Sequence, residues 1–151
     1  MKHQRRAVLH SVVAACLAAF CVSAPAEPSL LQPEEAFRVS ARRVEPRVVE
    51  IDYIIASGYH LYRDRFSFKT DNPAVSVAGV ELPPPLENFD KAMGQTMRYY
   101  AGRVTVRVRL AGANQTTKLV ATAQGCAAVF GVCYPPMTTA FNVPAFDGRR
   151  G

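Results

Sequence analysis

The chain is 151 residues long, 49% hydrophobic and 20% charged, with a net charge of +6. Three of its eighteen basic residues and none of its twelve acidic ones precede Glu27, so the remainder carries only +3. That is too mild a charge to argue for a nucleic-acid partner, and the length from Glu27 onward suits one domain able to bury a core of its own.

The first residues join a basic start (Lys2, Arg5, Arg6) to an apolar run from Ala7 to Val22 and end on Ala24-Pro25-Ala26. This pattern predicts a secretory signal peptide over 1–26, cleaved after Ala26, with a single domain over 27–151. The run is short for a bilayer span, which takes about 20 apolar residues. Two weaker readings compete. Val13-Ala14-Ala15-Cys16 offers a lipoprotein site with Cys16 lipidated, although little apolar sequence precedes it, and Arg5-Arg6 fits a twin-arginine signal only loosely. Removing the signal removes Cys16 and Cys21, leaving Cys126 and Cys133, two thiols that can pair in an oxidising compartment.

After a short helical turn expected at 33–37, opened by Pro33, the apolar pattern alternates with period two. Segments 48–55, 66–68, 75–77, 104–110 and 119–122, with a last strand at 141–143, are rich in β-branched and aromatic residues. Turn signals separate them at Ala56-Ser57-Gly58, Asp71-Asn72-Pro73, Pro83-Pro84-Pro85 and Ala111 to Asn114. Short strands at this spacing predict an all-β fold, an antiparallel β-sandwich. On the clearest strand, Val104, Val106, Val108 and Leu110 face one way and Thr105, Arg107 and Arg109 the other. Such arginines are what the wet face of a half-buried sheet carries.

The stretch QGCAAVFGVCYPP places Cys126 and Cys133 seven positions apart. As a staple the pair closes a loop of about eight residues, which the chain-entropy model values at roughly 2.5 kcal/mol, against nearly 5 for a loop of about a hundred. Gly125, Gly131, Pro135 and Pro136 supply turn chemistry that fixes the loop and leaves the sulfurs reachable. Composition alone leaves a staple and a working dithiol both open. A copper(I) site with Met93, Met97, Met137 or His60 is a third reading, but the spacing is not that of a zinc ribbon and no histidine lies within twenty residues of the cysteines.

Three motifs, in order, resemble the N-terminal periplasmic (alpha) domain of the thiol:disulfide interchange protein DsbD family. They are Gly58-Tyr59-His60-Leu61-Tyr62-Arg63, Leu82-Pro83 followed by Asp90 to Gly94 at the place of a cap loop, and Gln124-Gly125-Cys126 through Cys133-Tyr134-Pro135-Pro136. The resemblance spans roughly residues 31–144 and implies an immunoglobulin-like fold with a reactive cysteine pair in a hairpin. It implies thiol-disulfide exchange without cofactor or metal, with Cys133 forming the intermolecular bond and Cys126 resolving it. His60, Tyr62 and Tyr134 are then expected along the approach, and Asp90, Met93 and Gly94 in the cap. The family pattern has five residues between the cysteines and this chain has six, so the hairpin is expected to bulge or lengthen by one. Where the family sets an aromatic over the disulfide, this chain offers Met93, Phe89 or Phe130, and His60 stands in place of a tyrosine as a pH-sensitive neighbour.

The full-length family continues into a multi-span membrane domain and a thioredoxin-like domain. With the sequence stopping at Gly151, the expectation is a free-standing periplasmic carrier. It would draw on a separately encoded membrane electron transporter and pass electrons to thioredoxin-like proteins, disulfide isomerases or cytochrome c maturation factors. An immunoglobulin-like binding module with a structural disulfide, and a copper(I) carrier, stand as alternatives.

Overall fold

The computed structural model describes residues 29–90, 94–112 and 114–148. The expected signal peptide with Cys16, and Met93 of the expected cap, lie outside the described residues.

The chain opens with one helical turn, α1 (Pro33–Ala36), capped by Gln32, whose N–H donates to the Glu35 carboxylate at 3.2 Å. Strands follow: β1 (Phe37–Glu45), β2 (Val48–Ile55), β3 (Tyr59–Tyr62), β4 (Ser67–Thr70), β5 (Val75–Glu81), β6 (Leu86–Asp90), β7 (Gln95–Tyr100), β8 (Arg103–Gly112), β9 (Thr117–Ala123), β10 (Gly125–Ala127), β11 (Val132–Cys133) and β12 (Met137–Val143). All pairings are antiparallel. They form sheets in the orders β1-β2-β8-β5, β11-β10-β3-β7-β6 and β12-β9-β4.

Period-two alternation explains why these sheets share one core. Val49, Ile51, Tyr53 and Ile55 of β2 and Val104, Val106, Val108 and Leu110 of β8 point inward. They join Leu61 of β3 and Leu119 and Ala121 of β9 in a single apolar cluster. Burying each large side chain of this kind contributes roughly 1.5–3 kcal/mol. The opposite face of β8 is wet, as expected. Arg107 bonds Glu45 and Glu50 at 2.9 and 3.1 Å, Arg109 bonds Glu81 at 3.1 Å, and Arg42 bonds Glu50 at 2.6 Å. Half-exposed pairs like these add about 0–1 kcal/mol each.

The strands expected at 48–55, 75–77, 104–110 and 119–122 are present, most of them longer than the pattern alone marks, and the one expected at 66–68 runs over Ser67–Thr70. β1, β3, β6, β7, β10 and β11 are additions, and the last strand starts at Met137. Four of these, β3, β7, β10 and β11, carry or flank the cysteines.

Candidate functional site

The site begins with a glycine. Gly125 opens β10 where the chain crosses against β3, and a Cβ built there would lie 2.5 Å from the His60 carbonyl oxygen and 2.6 Å from Phe37 Cζ. Only a residue without a side chain lets β10 sit this close, and that approach puts Cys126 opposite His60. On its other side Cys126 is directly opposite Cys133 of β11, and the two form a disulfide with Cα atoms 3.9 Å apart. The Tyr134 N–H donates to the Gly125 carbonyl at 2.9 Å. The cysteines therefore hold the non-hydrogen-bonded position of the ladder, where Cα atoms come closest.

Six intervening residues fit this register without a bulge. Ala127 and Val132 pair, and the four residues Ala128 to Gly131 make the turn. The Phe130 N–H bonds back to the Ala127 carbonyl at 3.1 Å, and Gly131 takes a left-handed φ of 63°. Of the two alternatives the sequence left, the hairpin lengthens.

The two sulfurs have unlike surroundings. Cys126 is 3% exposed, whereas Cys133 is exposed at the sheet edge. Above them stands Tyr62, two residues beyond His60 on the same face of β3. Its hydroxyl lies 3.2 Å from Cys126 Sγ and 3.9 Å from Cys133 Sγ. A disulfide sulfur carries no proton, so the phenol is the donor. His60 packs edge-on to Tyr62, with ring centroids 4.9 Å apart, and against Tyr99 of β7 at 5.1 Å.

Tyr134 corrects one expectation. It does not line the approach; it is 8% exposed and lies behind the disulfide. The reason is the pleat: Cys133 faces outward, so its neighbour must face inward. There the ring meets Phe37 edge-on at 5.5 Å and Tyr59 at 6.3 Å. Its hydroxyl donates to the Leu31 carbonyl at 2.6 Å, while the Leu31 N–H donates to the Tyr59 hydroxyl at 2.8 Å. Gln124 holds the same segment from outside, Nε2 donating to the Tyr134 carbonyl at 3.1 Å.

The β6–β7 hairpin, at the place of the expected cap, reaches the site through β7. Asp90 pairs with Gln95 at its end, and Gly94 is exposed at φ 64°. Gln95, Thr96, Met97 and Arg98 line a recess of about 480 Å³ together with Tyr62, Asp64, Arg65, Gln124 and Cys133. A second recess over His60 and Tyr62 is lined by Phe89, Met97 and Tyr99. Phe130 lies on the cysteine hairpin, 38% exposed. Of the soft ligands considered from sequence, Met97 shares a recess with Cys133, while Met137 packs against the core from β12.

The sequence matches the family described as thiol:disulfide interchange protein DsbD, N-terminal, over residues 27–145. The chain belongs to this family. It is 36% identical over 139 residues to the thiol:disulfide interchange protein DsbD of Ralstonia nicotianae, which covers 92% of this chain and 23% of that protein. The chain thus spans less than a quarter of that curated relative. The crystal structure of the Neisseria meningitidis DsbD N-terminal domain in the reduced form matches with a TM-score of 0.65 at 35% identity, covering 76% of this chain and 90% of that one. The complex between the DsbD N-terminal and PilB N-terminal domains from the same organism matches at 0.64 and 33%, covering 76% and 88%. The fold is accordingly the immunoglobulin-like β-sandwich of DsbD N-terminal domains.

Within this DsbD N-terminal domain, Met97, Arg65 and Arg98 share the recess of Cys133 although the motifs did not mark them. Met97 was legible only as a soft metal ligand; its place beside Cys133 depends on the pairing of β3 with β7, which brings Tyr62 opposite Tyr99.

Burial holds the His60 imidazole below the usual histidine range. The folded state therefore resists a proton that the unfolded chain accepts near pH 6.5, and stability should fall as pH drops through that value. Thermal unfolding from pH 8 to 5 should show a steeper acid-side loss for the native protein than for His60→Gln. Parallel profiles would mean that His60 does not contribute to the slope.

Proposed function

We propose that this domain is a periplasmic thiol-disulfide exchange module, taking reducing equivalents from a membrane electron transporter and passing them to oxidised thioredoxin-like proteins. Disulfide isomerases and cytochrome c maturation factors are the proposed recipients. The observation that carries the reading is the asymmetry of the pair: one sulfur exposed at a sheet edge, its partner buried directly across the ladder. A staple has no use for such a difference. Exchange does, because the exposed sulfur meets the partner and the buried one waits. The complex of the Neisseria DsbD N-terminal domain with a PilB domain supports a protein as the partner.

In the forward direction the Cys133 thiolate attacks a sulfur of the partner's disulfide and expels the other as a thiolate. Cys126 then attacks the Cys133 sulfur of the mixed disulfide, releasing the partner's second thiolate. The two protons of the starting dithiol end on the partner's two cysteines, and the domain is left oxidised. Attack by the transporter's dithiol reverses the sequence. No cofactor enters.

Tyr62 is placed to donate to whichever sulfur carries the charge. Hydrogen bonds to charged groups are worth about 1.5–3 kcal/mol, so Tyr62→Phe should slow exchange with a small disulfide by about tenfold and move its rate profile to higher pH. An unchanged profile would remove Tyr62 from the chemistry.

The proposal is tested by mixing the oxidised domain with an equimolar reduced thioredoxin-like protein, quenching in acid and counting free thiols by mass tagging. An exchange module reaches a mixed equilibrium within minutes. A binding module with a structural disulfide stays oxidised for hours.

A further inference from the structure

Resting on the exchange reading above, we infer that the recess in front of Cys133 selects partners that present carboxylates beside their disulfide. Cys133 shares this recess with Arg65, Arg98 and Asp64. Asp64 is already spent: Arg98 Nη2 holds both its oxygens, at 3.0 and 2.9 Å, and Arg63 Nη1 reaches it at 3.3 Å. Glu87 stands across the ladder from Arg98, outside the recess lining. Arg65 has no ion-pair partner among the described residues. It is exposed, in the short turn that follows β3.

The contrast lies within the same molecule. On the wet face of the β1-β2-β8-β5 sheet, Arg42, Arg103, Arg107 and Arg109 each bond a carboxylate, while Arg38 of β1 pairs with none among the described residues. The recess is lined by Arg65 and Arg98 and by one carboxylate, Asp64, which Arg98 and the neighbouring Arg63 already hold. An incoming disulfide must bring its substituents past these groups to reach Cys133 in line. Charges that line the same recess as the reacting sulfur are weakly screened over the Debye length of about 8 Å at physiological salt. A negatively charged substituent is drawn in and a positive one is repelled. The charge acts on encounter, and any effect it has on the Cys133 thiolate is common to all incoming disulfides.

Three small disulfides of similar size test this with the whole reduced domain: dithiodipropionate (anionic), hydroxyethyl disulfide (neutral) and cystamine (cationic). Each reacts as above, giving the oxidised domain and two small thiols. Comparing native protein with Arg65→Glu cancels their differing intrinsic reactivities. At low salt and relative to the neutral disulfide, Arg65→Glu should slow the anionic one about three- to fivefold and speed the cationic one by a similar factor. At about 0.5 M salt the differences should shrink toward parity. Equal effects on all three, or none on any, overturn the selectivity while leaving the exchange reading intact. Failure of the native protein to react with any of them overturns both.

Discussion

A Cys126→Ser variant is expected to accumulate a long-lived mixed disulfide through Cys133 with a thioredoxin-like partner lacking its own resolving cysteine, and Cys133→Ser is expected to trap little. The cause is access. Cys126 is 3% exposed, its sulfur under Tyr62, with β3 on one side and β11 on the other, whereas Cys133 ends the two-residue edge strand β11 and opens into the recess. A thiolate must approach a disulfide in line, so a buried sulfur is a poor first attacker but a good second one, already next to the bond it must break. Removing Cys126 leaves the first step and deletes the second. Non-reducing electrophoresis after mixing should show at least about a tenfold excess of adduct for Cys126→Ser. Equal trapping by both variants would defeat the assignment of roles.

Gly125→Ala should be the most damaging small change near the site. Its Cβ would meet a backbone oxygen of the paired strand at 2.5 Å and the buried Phe37 ring at 2.6 Å, and neither can yield cheaply. Overpacking of this kind costs about 1–3 kcal/mol or somewhat more; at the upper end that corresponds to a fall in Tm on the order of 10 °C for a domain of this size. Because β10 must shift outward, the Cys126 to Cys133 register should suffer too. Gly131→Ala is the control: its Cβ meets nothing within 4 Å, and only its left-handed φ of 63° is penalised, by about 1–2 kcal/mol. A Gly125→Ala protein melting with the native one would mean that β10 does not need the close approach.

The long strands were legible because each runs far enough for period two to show. β2 alternates buried with less buried residues from Val49 to Ile55 and β8 does so from Arg103 to Ala111, and the sequence alternates with them. The strands at the site are too short for this. β3 has four residues, β10 three and β11 two, and it is the ladder partners that hold them extended. The cysteine spacing was enough to suggest a hairpin, and the structure resolves its turn as four residues. Tyr134 was misplaced by its nearness to Cys133 in sequence, although the pleat sends adjacent side chains to opposite faces. The recess was not legible at all, since Asp64 and Arg98 meet across 34 positions through pairing of β3 with β7. Of the expected cap, Gly94 is exposed at the hairpin end while the β7 residues that follow it line the recess, and Met93 lies outside the described residues.

The central claim is that Cys126 and Cys133 form a working couple, and its midpoint potential tests this most directly. The domain should be equilibrated without oxygen in glutathione or dithiothreitol buffers of stepped potential, acid-quenched, and its reduced fraction read by alkylation. A single two-electron transition is expected at a moderate potential, about −180 to −270 mV, in the range of proteins that exchange dithiols. A pair still oxidised below about −300 mV, where structural disulfides lie, would contradict it and return the bond to the role of a staple.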